Sequence, residues 1–151
     1  MGRRIGVLRE ILDQIAQQLS DAYDDLDVPV QVVPRAWFNP TPPCIDMWPG
    51  ETTRDPNSAA FGDIDGGYVV TLRARVSTAD GDAGQDLLVA FLDDTDDLCI
   101  ARPLFDEPTL GGIASSILVE PPLGPFQYPD PSGEGSLWGY TWRVTVLAIQ
   151  S

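Results

Sequence analysis

Carboxylates are the groups through which this chain could do chemistry: 23 Asp and Glu stand against nine basic residues, giving a net charge of −14. Acids set close together can hold a cation or divide acid and base roles, so each arrangement has a spacing test. A calcium loop needs oxygen ligands at fixed offsets, a glycine at its sixth position and a closing glutamate at its twelfth. Setting Gly66 of Asp63-Ile64-Asp65-Gly66 sixth puts Phe61 first and Leu72 last. Starting at Asp80-Gly81-Asp82 puts Gln85 sixth and Phe91 last. Both fail. The run Asp93-Asp94-Thr95-Asp96-Asp97 could hold a cation only weakly and reads first as solvated surface. A glycosidase asks for just two carboxylates, which so acidic a chain supplies by chance. Cys44 and Cys99 have no histidine to activate them, and there is no lysine for a Schiff base or a phosphate loop. Gly111-Gly112 lacks phosphate-loop spacing, and Asn39-Pro40-Thr41 carries proline where N-glycosylation forbids it. The expectation is a protein with no catalytic residue, no cofactor and no metal.

All nine basic residues are arginines, too few to give the basic footprint of a nucleic-acid binder. With 151 residues, 43% apolar content and four Trp, the chain suits one domain, 1–151, with one core. Two cysteines far apart read as free thiols of a reducing compartment. Met1-Gly2-Arg3-Arg4 leads into an amphipathic stretch instead of an apolar signal core. No window approaches the roughly 18 apolar residues of a membrane span. A soluble cytosolic product without a membrane partner is expected.

The elements that must position these residues follow from periodicity. Ile5, Leu8, Leu12, Ile15 and Leu19 form the stripe of an amphipathic helix, which acids from Asp21 to Asp27 should stop near Tyr23. Val28–Val33, lying between prolines, reads as an edge strand. Residues 34–67 hold six prolines and one plausible strand, Cys44–Trp48, and read as a long loop or arm. Its Trp37, Phe38, Met47 and Trp48 either fold back as core or, with Arg35, face a partner, since these residue types are enriched at interfaces. Alternation over Tyr68–Ser77 predicts a half-buried strand whose polar face carries Arg73 and Arg75. A helix capped by Asp82 is expected, with Leu87, Leu88, Phe91 and Leu92 as its apolar residues and the acids Asp93–Asp97 ending it, then a helical turn within Leu98–Leu104 and a brief helix or turn at Thr109–Ser116. A strand is expected at Ile117–Val119, and residues 121–135, with five prolines, read as a second loop. Tyr140–Ile149 is the strongest strand pattern. The order favours an α+β fold, a mainly antiparallel mixed sheet flanked by the N-terminal helix and a second central helix.

Three segments carry a resemblance. The N-terminal helix runs into Val30-Gln31-Val32-Val33-Pro34 and then Asn39-Pro40-Thr41-Pro42-Pro43-Cys44-Ile45-Asp46-Met47-Trp48-Pro49-Gly50. Asp106-Glu107-Pro108-Thr109-Leu110-Gly111-Gly112 is similar to an Asp-x-Thr-Leu-Gly-Gly element of small phage neck and tail-completion proteins. The closing strand carries Tyr140-Thr141-Trp142-Arg143-Val144-Thr145-Val146. In this order they resemble the tail terminator proteins of long-tailed (siphovirus-type) bacteriophages, in particular those infecting actinobacteria. The resemblance implies a tail-terminator-like α+β subunit that forms a hexameric ring on the last tail-tube ring. It implies contacts with the tail tube protein and with the head–tail connector or stopper protein, no enzyme activity, and a place in the virion after assembly in the host cytoplasm. DNA would pass through the lumen without specific binding, repelled by an acidic wall for which Asp93, Asp94, Asp96 and Asp97 are the candidates. The loop 34–49 would touch a neighbouring subunit or ring. The alternatives are a head-completion or stopper protein of the neck, or a small acidic binding domain that mimics DNA or inhibits a basic protein.

Overall fold

The apolar stripe near the N-terminus becomes helix α1, Val7–Tyr23, in the computed structural model, which describes residues 3, 5–38, 40–50, 67–130 and 135–148. Gly6 is its N-cap, in extended conformation, so Ile5 falls outside the helix and is exposed. Ile11, Leu12, Ile15, Ala16 and Leu19 form the buried face, and Asp24 caps the end, close to the expected stop.

Helix α1 lies on a six-stranded sheet built from β1 (Gln31–Val32), β2 (Cys44–Pro49), β3 (Gly67–Ser77), β4 (Ala114–Val119), β5 (Leu123–Pro129) and β6 (Ser136–Ala148). The order is β1-β2-β3-β6-β4, and β5 also pairs with β6. Among the described residues only β1 and β2 run parallel. The fold is therefore α+β with a mostly antiparallel sheet. The long strands β3 and β6 form its centre, and β6 divides its other edge: β5 pairs along Ser136–Thr141 and β4 along Val144–Ala148.

Two expectations need correction. The segment 121–135 is not all loop, because Leu123–Pro129 is strand β5. A register shift between Leu123 and Phe126 takes up Gly124 and Pro125, so a bulge absorbs the residues that looked like loop markers. The strand expected over Val28–Val33 shrinks to Gln31–Val32, at the sheet edge as anticipated. Within 34–67, β2 lies where a strand was expected, and residues 51–66 lie outside the described residues.

Period-2 alternation assigns the two faces of the sheet. Ile45 and Met47 of β2, Val70, Leu72, Ala74 and Val76 of β3, and Trp142, Val144 and Val146 of β6 point to the helices and form the core. Helix α2 (Asp82–Leu92) adds Leu88 and Phe91, and helix α3 (Ala101–Asp106) adds Leu104. After α3, a tight turn at Leu110–Gly112 has positive φ at Gly111 and Gly112. A Cβ on Gly111 would come 3.2 Å from the Gln14 side chain, so the glycine lets this turn sit close to α1. No helix among the described residues is long and apolar enough to cross a membrane.

Candidate functional site

The face of the sheet turned away from the helices carries the unusual chemistry. The antiparallel register sets Cys44 opposite Arg75, Asp46 opposite Arg73 and Trp48 opposite Thr71, all on that face. Asp46 is fully buried there. Arg73 grips it with two bonds, Nε to Oδ1 at 3.0 Å and Nη2 to Oδ2 at 2.6 Å. Arg75 Nη2 donates to Oδ2 at 3.2 Å, and the Trp37 backbone N–H donates to the same oxygen at 2.9 Å. Polar residues expected on a solvated strand face are thus a buried ion cluster.

Aromatic rings enclose it. The Arg73 guanidinium lies 4.8 Å from the Trp48 ring centroid and 5.0 Å from that of Tyr128, a cation sandwiched between two π faces. Arg75 lies 5.8 Å from the Tyr128 centroid. Burial works against the charge on Arg73, but the hydrogen bond and charge of Asp46 outweigh it and hold the guanidinium above its usual pKa. For Arg75 burial wins over Asp46, and the pKa is lowered. The Nε of Arg75 is buried without a hydrogen-bond partner among the described residues. Gly139 makes room for this packing: a Cβ there would stand 2.4 Å from the Ala74 carbonyl oxygen and 3.0 Å from Arg75 Cγ.

With both carboxylate oxygens accepting from charged or backbone donors, Asp46 is occupied as an acceptor, which suits a clamp and not a proton shuttle. The clamp acts on the chain between β1 and β2. Met47 N–H donates to the Arg35 carbonyl at 3.4 Å, Trp37 N–H is held by Asp46, and Arg75 Nη2 donates to the Trp37 carbonyl at 2.9 Å. Three bonds therefore fix Arg35–Trp37. Phe38 follows directly and is 85% exposed.

The five interface candidates thus divide. Met47 points into the core and is fully buried, so its side chain is not offered to a partner. Trp48 stacks on Arg73, Trp37 is half-buried on the clamp, and Arg35 and Phe38 stand exposed beside it. Of the four acidic candidates, Asp93, Asp94 and Asp97 are exposed and Asp96 is half-buried. Asp93 Oδ1 accepts from the Thr95 hydroxyl and backbone N–H, which holds its carboxyl below the usual range, and Asp96 Oδ1 accepts from Leu98 N–H. Arg102 donates to the Asp94 carbonyl. Two of these acids therefore also cap turns. Among the described residues no three acids or thiols converge as a metal donor set. Cys44 and Cys99 are free and buried, and burial pushes the Cys44 thiol up to about 11.

The sequence reading passed over a groove on the helix side of the sheet. One depression of about 220 Å³ lies between α2 and the start of β6, with Val76, Leu88 and Trp138 in its wall. A second, of about 120 Å³, shares Gln85, Leu88 and Trp138 with the first and extends to Val89, Leu92 and Pro125. Val89 is 61% exposed and Trp138 39% exposed, so the groove is open; Ser77, Thr78 and Gln85 make its first part mixed, and its second part, at Val89, Leu92 and Pro125, is mainly apolar. The 3–4 spacing of Gln85, Leu88, Val89 and Leu92 was the available signal, but half of that stripe reads as core.

No protein-family model matches this chain, and no curated protein matches it.

Proposed function

We propose that the chain is a structural virion protein, the tail terminator of a long-tailed bacteriophage. It closes into a hexameric ring on the last tail-tube ring, stops polymerisation of the tube and offers a docking face to the head–tail connector. The observation that carries this reading is the ordered run of three resembling segments, which fall on connected parts of the fold. The first spans α1, β1 and β2, the second links α3 to β4, and the third is the central strand β6. The pinned loop gives the reading a physical basis. An aromatic residue standing on a backbone already fixed by three bonds loses little conformational entropy when a neighbour covers it. In this reading the chain catalyses nothing, and its surface acids keep the bore slippery to phosphate.

Tube assembly tests the proposal. Purified tail tube protein is polymerised with and without this chain, and length and end structure are read by negative-stain microscopy. Shortened tubes with a ring at one end are expected. Tubes of unchanged length and bare ends overturn the reading, and the stopper or acidic-domain alternatives then take its place. A virion carrying Asn at positions 93, 94, 96 and 97 that ejects DNA at the normal rate removes the bore role of those acids.

A further inference from the structure

We infer that Phe38 of one copy seats in the groove between α2 and β6 of a second copy, making the contact head-to-tail. The inference rests on the ring reading above and adds the receiving surface. The knob and the groove belong to different parts of the molecule. Phe38 stands at the β1–β2 edge beside the Asp46 clamp, on the sheet face away from the helices. The groove lies on the helix face at the β5–β6 side. Two complementary patches that do not overlap produce a heterologous contact, which closes into a ring or runs on as a filament.

Charge selects this occupant. On α2 the positions 82, 86 and 89 recur at 4 and 3 spacing, so Asp82 and Asp86 share a stripe with Val89 at the groove wall. Both acids are exposed. A ligand for this groove is therefore an apolar side chain with a cation beside it. The loop 35–38 supplies both: Phe38 is 85% exposed, and Arg35 is one of only nine cations in a chain of net charge −14. Asp86 faces Arg35 in the docked pair, and Trp138 and Leu88 receive the ring. Aromatic anchors in apolar pockets with charge at the rim are the usual make-up of interface hot spots.

Disulfide trapping tests the contact. Phe38→Cys and Val89→Cys are made separately; both positions are exposed, and the native Cys44 and Cys99 are buried. On mild oxidation the mixture should give a linked dimer that neither variant gives alone. Adding Asp86→Arg to the Val89→Cys partner should lower the yield several-fold. A mixture that stays unlinked overturns the inference, and so does a Phe38→Cys chain that links equally well to itself. The unmodified chain's effect on tube length, measured in parallel, shows independently whether the ring reading holds.

Discussion

Asp46 is the residue on which the clamp turns. It accepts four hydrogen bonds, three from guanidinium groups and one from the Trp37 backbone, and is fully buried. Removing one partner of such a cluster costs more than the pair contributes, because the remaining charges stay desolvated. Asp46→Ala leaves Arg73 and Arg75 facing each other with no anion between them. The expected loss is about 3–5 kcal/mol, read as a shift of the urea midpoint. Protease cleavage at Phe38 should rise as Trp37 is released. Arg73→Lys keeps the charge but loses the two-bond grip and the flat stacking surface, so a smaller loss is expected.

At the scale of elements, β5 and the clamp show what the sequence revealed and what it hid. Helices α1 and α2 and strands β3 and β6 were legible because each carries its own periodicity over ten or more residues. Strand β5 was hidden because Gly124 and Pro125 mark a turn in most settings, and here a bulge beside a long partner strand takes them up. The clamp was half visible. Alternation put Arg73 and Arg75 on one face of β3, but nothing local says that β2 lies alongside in the register that sets Asp46 against Arg73. The available signal was Asp46 itself, a lone acid alternating with Cys44 and Trp48 in an otherwise apolar strand. Gly139 joins the two elements. Gly139→Ala drives a methyl into the Ala74 carbonyl and the Arg75 stem. Overpacking of this kind costs about 1–3 kcal/mol. Thermal unfolding should show that loss, and exchange of the β5 amides should quicken.

The whole molecule has an unusual titration profile. With neither His nor Lys, its side chains leave a gap between the carboxylates and the thiols. Stability should change little from about pH 6 to about pH 8. Above that range Cys44, moved by burial from 9.0 to about 11, keeps its proton in the folded chain after the unfolded chain has released it. Tyr23, raised by burial and donating to the Leu98 carbonyl at 2.9 Å, acts in the same direction. The unfolded state then binds fewer protons than the folded state, so stability falls as pH rises. It is fully present below about pH 9 and declines toward about pH 11. Urea midpoints at neutral and strongly alkaline pH measure the fall, and Cys44→Ala should remove part of it.

The pairing of β6 with three other strands also fixes the order of events during synthesis. It is the last of the six strands among the described residues, yet β3, β4 and β5 all pair with it. Until the ribosome has released residues 136–148, among the described residues β3 has only β2 beside it, and β4 and β5 have no strand partner. Such non-local pairing folds slowly and leaves apolar strands uncovered for a time. A chain cut short before Ser136 should therefore aggregate rather than stay in solution, which sedimentation of the truncated product would show.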